Sequence, residues 1–369
     1  MPCNIAIDIL PILLLFLCIF GAKITKPLSS INSKDYLSLA TCKSYRGLFA
    51  IVVIFHHLAQ RTETGFFFHL FTHIGGSAVA FFFFLSGYGL QKSYITKSDK
   101  YREGFLLKRI PTVFIPYIII TAIYWLMYFF LDHIYTLQEI IIQTFIIGRP
   151  IAEFSWFIVN ILIFYVVFWL LMRICKKHHF MMILGGFIWY ILHFIFCLKM
   201  KYGSYWYLSS HLLIIGMFYA IYEQNIIILF KKNTLQKAFS LFVTFFLFYI
   251  FSVKTELIVG SGIFANILSI SSALINPIIF VLSALAFFLK IHLRNKFLNF
   301  LGEISLELYI SHGLFLILFR SKCVYIHNEF IWSISVLAGT ILFSYGLHIL
   351  FQAILNVYKR AVLKPKVIN

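Results

Sequence analysis

An all-α fold is what the sequence predicts: a polytopic transmembrane helix bundle with ten core helices and one extra N-terminal span. Three observations predict it. Of the 369 residues, 61% are hydrophobic and only 12% charged, against roughly 25% charged in ordinary soluble domains, and the mean hydropathy is +0.92. Apolar runs of about 18 to 24 residues recur along nearly the whole chain, each long enough to cross a bilayer as a helix. They show no period-2 alternation. Hydrocarbon admits only internally bonded helices or closed barrels, and a barrel needs that alternation, so helices are the remaining solution. The formal charge of +18 does not read as a nucleic-acid face, because the basic residues sit in short clusters between the apolar runs.

The first predicted span is Ile5 to Phe20. It has no basic stretch ahead of it, which leaves open an uncleaved anchor or a cleaved signal peptide. The ten core spans follow as Tyr36 to Ala59, His73 to Leu90, Pro111 to Leu131, Trp156 to Met172, Met181 to Leu198, Tyr205 to Tyr222, Leu235 to Ser252, Ala273 to Leu289, Ile304 to Phe319 and Phe330 to Leu350. The stretch Glu256 to Pro277 reads as an outer loop or re-entrant segment. With the N-terminus outside and the C-terminus cytoplasmic, 24 of the 31 Lys and Arg residues fall on the cytoplasmic side, as the positive-inside rule expects. The expected location is the cell (inner) membrane. Three parts result: residues 1–35, a span with a basic linker; 36–358, the membrane domain; and 359–369, a short basic tail. The six cysteines, at 3, 18, 42, 175, 197 and 323, form no CxxC and suggest neither a disulfide scaffold nor a metal knuckle. No metal site is expected, since His178 and His179 read as solvated in a basic loop.

Chemistry concentrates in four stretches. In SYRGLFAIVVIFHH, Ser44 to His57, a helix turning about 100° per residue puts His57 within about 20° of Arg46 and His56 about 80° away. Arg46 and His57 then share a face, about 16 Å apart along the axis, with Arg46 at the cytoplasmic boundary. Such groups are expensive in a membrane and tend to face cavities, although Arg46 can also snorkel to headgroups. In GGSAVAFFFFLSGYGL, Gly75 to Leu90, Ser86 and Gly87 offer room for a ligand or for a close helix. Lys108 and Arg109 in GFLLKRIPTVFIPY suit phosphates, or simply obey topology. LGEISLELYISHG, Leu301 to Gly313, carries Ser305, Glu307, Tyr309 and His312 into a span, and His312 reads either as part of the site or as a structural histidine bonded across the bundle.

Taken in order, these stretches resemble membrane-bound acyltransferase family 3, a family of O-acetyltransferase-like integral membrane proteins. YRGLFAIVVIFHH fits its arginine, ten residues, histidine pattern; VAFFFFLSGYGL is similar to its FF-x-LSG segment; KRIPTVFIPY to its basic pair before a proline; FSWFIVNILIFY, with Trp156 and Asn160, to its tryptophan-led fourth core span; and the Ser305–Tyr309–His312 stretch to its late span. The likeness covers Tyr36 to Tyr358. It implies ten core helices and transfer of an acyl group, commonly acetyl from acetyl-CoA, to a hydroxyl of an envelope or exported carbohydrate, a form of polysaccharide modification. His57 and Arg46 are then the catalytic pair. Arg46, Lys108, Arg109, Ser86 and Gly87 contact the donor, and Trp156, Asn160, Ser305, Glu307, Tyr309 and His312 support them. Nothing is expected to be tightly bound: acetyl-CoA or another acyl-CoA is a co-substrate, and the partners are a carbohydrate or lipid-linked glycan and membrane lipids, without nucleic acid. The sequence departs from the family where Thr112 and Val113 stand in place of a further arginine, and where Asn160 stands in place of a glutamate found in some members. Neutral imidazole suits removal of an alcohol proton at physiological pH; acceptance of the acyl group by His57 itself is the alternative. A transporter or flippase with Arg46, His57, Glu307 and His312 along a polar path is the competing reading, but it lacks the internal repeat such a path predicts.

Overall fold

The computed structural model describes residues 5–20, 22–24, 36–230, 232–293 and 295–362; Cys3 and, from the basic clusters, Lys26, Lys34, Lys231, Arg294, Lys364 and Lys366 lie outside them. A single 3-10 turn, Ile5–Asp8, leads into α1 (Ile9–Ile19), and β1 (Ala22–Ile24) follows. Next come α2 (Leu39–Ala59), a 3-10 stretch Phe68–His73, α3 (Gly75–Lys97), the short α4 (Asp99–Arg102) and α5 (Phe105–Arg109), and α6 (Pro111–Phe130). After α7 (Leu137–Ile142) the chain forms α8 (Trp156–Ile174), α9 (His179–Lys199), α10 (Leu212–Phe230), α11 (Thr234–Val259) and α12 (Ile263–Lys290). It ends in β2 (Ile291–Leu293), α13 (Lys296–Glu303), α14 (Ser305–Leu318) and α15 (Glu329–Val362).

All ten core spans of the sequence reading contain a helix, and the chain is a multi-pass, all-α membrane protein. Among the described residues, eight helices are long and apolar enough to cross a bilayer, and α13 with α14, bent by 77°, passes the same test as a pair. The tenth, α3, has 23 residues, or about 35 Å at 1.5 Å per residue. Its serines, glycines and tyrosines dilute its hydropathy, but it needs no lipid-facing surface. Phe81, Phe82, Phe83 and Phe84 are all buried, as expected of a helix apolar on every side and surrounded by others. Phe81 packs on Tyr45, Phe49 and Phe288, and Phe83 on Phe157, so α3 ties α2, α8 and α12 together.

Two glycine crossings bring backbones into contact, the usual device where hydrocarbon supplies no driving force between helices. A Cβ on Gly87 would strike the Leu213 carbonyl, and one on Gly216 the Phe84 carbonyl, which locks α3 to α10. Likewise Gly47 faces the Leu298 carbonyl and Gly302 the Lys43 carbonyl, locking α2 to α13. Around the second crossing, Ser44 donates to Asn299 Oδ1 at 2.7 Å and Lys43 pairs with Glu303. The cytoplasmic-predicted end of α2 is thereby fixed.

Three expectations change. The first span is a 3-10 turn plus an 11-residue helix, about 16 Å long and shorter than the roughly 30 Å hydrocarbon core. It is nonetheless stitched into the bundle. Asp8 accepts the N–H groups of Phe66 and Phe68 at 3.0 and 2.8 Å, Asn295 donates to the Leu17 carbonyl at 3.1 Å, and β1 pairs antiparallel with β2. Glu256 to Pro277 is not a loop: α11 runs on to Val259, a three-residue turn follows with Gly260 and Gly262 at φ +89° and +136°, and α12 carries Pro277 inside it. Its polar residues are satisfied within the hairpin, Ser269 donating to the Ser252 carbonyl at 2.9 Å and Ser272 to the Leu268 carbonyl at 2.8 Å. The span expected from Tyr205 begins only at Leu212, after a 3-10 turn at Ser204–Trp206. The span expected at Ile304 to Phe319 is met by α14, Ser305–Leu318, to within one residue at each end, and α13 precedes it across a 77° bend.

Candidate active site

Arg46 enters a cavity of about 360 Å³ enclosed by α2, α3, α5, α6, α8 and α14. Ser86, Gly89, Arg109, Tyr165, Ser305 and Tyr309 line it with Arg46. Arg109 closes α5 and Ser305 opens α14 beside the basic clusters, while Tyr165 and Tyr309 lie further along their helices. Two guanidinium groups face one space, and among the described lining residues there is no carboxylate. Neither arginine makes an ion pair among the described residues; Arg109 donates to the Tyr101 hydroxyl at 2.9 Å, and Arg46 Nε is buried without a hydrogen-bond partner. Unpaired buried donors of this kind are costly, and an anion would satisfy them in bidentate fashion. A second pocket of about 270 Å³ opens beside the first, where Arg109 is joined by Lys97, Lys100 and Lys108.

The other end of α2 holds the histidines. His56 turns toward Gly75 at the start of α3 and its Nδ1 lies 3.1 Å from the Phe71 carbonyl. His57 turns instead toward α14. Its ring lies 5.2 Å from that of His312 at an angle of 21° and stacks on Phe154 at 3.8 Å and 25°; Phe154 and His312 are 4.9 Å apart at 12°. Three nearly parallel rings thus come from α2, α14 and the turn before α8. His57 Nδ1 is 3.2 Å from the Gln60 amide oxygen, and His312 Nδ1 is 3.2 Å from the Leu308 carbonyl. Both oxygens can only accept, so in each neutral ring Nδ1 carries the hydrogen and Nε2 is left as the acceptor. His312 Nε2 is buried with no partner among the described residues.

The turn that delivers Phe154 is unusual. Phe154 has φ +64°, a left-handed conformation in which a bulky residue is a genuine outlier, at a cost of about 1–3 kcal/mol. Tyr309 holds it there, donating to the Phe154 carbonyl at 2.8 Å. Gly313 makes the approach possible, because a Cβ at that position would meet Glu153 Cβ at 3.1 Å and Phe154 Cε2 at 3.2 Å. Arg61 lies 5.8 Å over the Phe154 ring, donates to the His57 carbonyl at 3.2 Å and stands 3.7 Å from Glu153. Burial raises the Glu153 carboxyl above its ordinary value, and Arg61 draws it partly back. Tyr309 also marks the inner limit of the arginine cavity, with its ring 5.0 Å from Phe157; the two histidines lie beyond it and are not part of the cavity wall.

The structure sorts the residues singled out in the sequence. Arg46, Ser86, Arg109, Ser305 and Tyr309 meet around one cavity, and His57 and His312 meet one turn past Tyr309. Gly87 does not line the cavity, since its missing side chain admits the α10 backbone; Gly89, with open space beside it, lines the cavity instead. Lys108 joins only the neighbouring basic pocket, where its ammonium donates to the Glu103 carbonyl at 3.2 Å. Asn160 is spent on structure, donating to the Trp206 carbonyl at 3.1 Å, and Trp156 packs against Tyr205 and Phe83. Glu307 accepts from His348 Nδ1 at 2.9 Å outside the cavity wall. Phe154, Arg61, Glu153 and His348 are additions of the structure: the turn before α8 meets Arg61, just past the end of α2, and His348 reaches Glu307 from α15, contacts between segments far apart in the chain.

A polytopic bundle with an arginine cavity at one end and two facing imidazoles behind it has the parts a membrane-embedded group-transfer enzyme needs. The family comparison agrees: a family model described as an acyltransferase domain matches residues 44–349. The chain belongs to acyltransferase family 3 and is an acyltransferase. No curated protein and no solved structure matches it.

Proposed function

We propose that this acyltransferase moves an acyl group, acetyl from acetyl-CoA, to a hydroxyl of a cell-envelope or exported carbohydrate, in the cell (inner) membrane with its basic clusters and C-terminus facing the cytoplasm. The observation that carries the reading is the acid-free cavity with Arg46 and Arg109, whose inner wall, Tyr309, touches the residues around His57. Phosphates of the donor pair with the two guanidinium groups, and the neighbouring Lys97, Lys100 and Lys108 extend the cationic surface. The thioester reaches inward toward Tyr309.

At the histidine end, His57 Nε2 takes the proton of the acceptor hydroxyl as its oxygen attacks the thioester carbonyl. The C–O bond forms, the C–S bond breaks, and the proton passes from His57 to the departing CoA sulfur. Radiolabelled acetyl-CoA incubated with purified protein and with its His57→Ala and His56→Ala variants tests the roles; turnover lost only in His57→Ala supports them, and the reverse pattern sinks them. Glycan mass analysis of cells carrying wild-type or His57→Ala protein tests the acceptor class, with loss of one acetyl increment on an envelope glycan as the expected result.

A further inference from the structure

We propose that Phe154 is a positioning residue of the reaction centre, its ring fixing the plane in which His57 presents Nε2; this rests on the reading of His57 as the proton acceptor. Among the described residues, the hydrogen bond on the His57 ring goes from Nδ1 to Gln60, an exposed side chain. One such bond selects the tautomer but holds the ring plane only as firmly as an exposed side chain can. The flat contact with Phe154 at 3.8 Å fixes that plane, and His312, nearly parallel to both rings, closes the third side. The chain maintains this contact against its own backbone, since φ +64° is a conformation that glycine adopts freely and phenylalanine does not. Two devices hold it: the Tyr309 hydroxyl on the Phe154 carbonyl and the space left by Gly313. Strained non-glycine residues persist only where surroundings over-determine them, and such sites cluster where geometry matters to chemistry.

The test compares Phe154→Tyr, Phe154→Leu and Phe154→Gly, with radiolabelled acetyl-CoA as the donor probe. Phe154→Leu and Phe154→Gly are expected to lower kcat by about tenfold to a hundredfold, the scale of a misplaced catalytic group, with the KM for acetyl-CoA held within about twofold. Phe154→Tyr, which keeps the flat ring, retains most of the activity. Phe154→Gly, which relieves the backbone but removes the ring, loses kcat as Phe154→Leu does. A packing role would instead lower kcat and melting temperature together and be rescued by leucine. Independently of turnover, isotope-labelled histidine should show His57 ring protons shifted upfield by the facing aromatic ring, a shift lost in Phe154→Leu and kept in Phe154→Tyr. Wild-type kcat in Phe154→Leu, or an unchanged His57 resonance, overturns the proposal. His57→Ala separates the two failures: if it stays active, the reading of His57 is wrong, whereas an inactive His57→Ala beside a fully active Phe154→Leu rejects only the role of Phe154.

Discussion

The two ends of α2 handle polarity in opposite ways. At the arginine end, Arg46 and Arg109 face a cavity with no carboxylate in its described wall. Around His57 the space is filled: three rings pack within 5.2 Å of one another, and each imidazole has one nitrogen tied to an oxygen. The difference teaches a division of labour. An unpaired guanidinium gains most from a ligand that brings its own charge, whereas a proton acceptor works best when its orientation is settled before substrate arrives. Tyr309 belongs to both ends, lining the cavity and holding Phe154.

Variants that strike one end and spare the other probe this comparison most directly. His57→Ala should produce the largest loss, a fall in acetyl-CoA turnover of about a hundredfold to ten-thousandfold, the range of a general base, while donor KM stays near wild type. His56→Ala should change turnover little, because that ring faces Gly75 and Phe71. Next in size, Arg46→Ala should raise the KM for acetyl-CoA by about tenfold to a hundredfold, corresponding to loss of hydrogen bonds to a charged group at about 1.5–3 kcal/mol. Arg46→Lys should restore only part of this, since an ammonium lacks the planar fork. If Arg46→Ala lowered kcat alone, the assignment of the donor to that end would fail.

A smaller effect separates the scaffold from the sites. Gly47→Val would press a side chain onto the Leu298 carbonyl, and overpacking of this kind costs about 1–3 kcal/mol. The expected outcome is a lower apparent melting temperature in detergent and a rise in donor KM, because Arg46 is the preceding residue, with kcat changed least. Smallest of all is Glu153→Gln. Burial raises the Glu153 carboxyl in the folded protein, so the folded state favours its protonated form; that stabilising contribution is complete below the unfolded carboxylate value of about 4.3 and is lost as pH rises through the folded value. Melting curves across that window should show Glu153→Gln gaining on wild type as pH rises. A constant difference would mean that Arg61 fully offsets the burial.

Particular segments show where sequence reading succeeds. Arg46 and His57, eleven positions apart, could be placed on one face because both belong to one uninterrupted helix, and the structure turns both toward α14. The reading of Glu256 to Pro277 as an outer loop or re-entrant segment has the opposite outcome: α11 and α12 run through it as helix on both sides of a short turn, the serines bond to helix carbonyls and the proline is accommodated within α12. Gly87 illustrates a third case. A small residue in a membrane helix announces close approach, and the sequence does not say whether a ligand or another backbone approaches; here it is Leu213.

By itself the sequence determined the solvent and the material: lipid, helices, ten core segments, and the family chemistry written into the order of its motifs. These follow from transfer free energies and from the fixed turn of a helix, which are local properties. The tertiary structure alone decided that Arg109 joins Arg46, that His312 lies beside His57 and that Phe154 is held flat between them in a left-handed turn. Each depends on a contact between segments far apart in the chain, set by which small residue lets which helix come close, and no periodicity within a single segment encodes that choice.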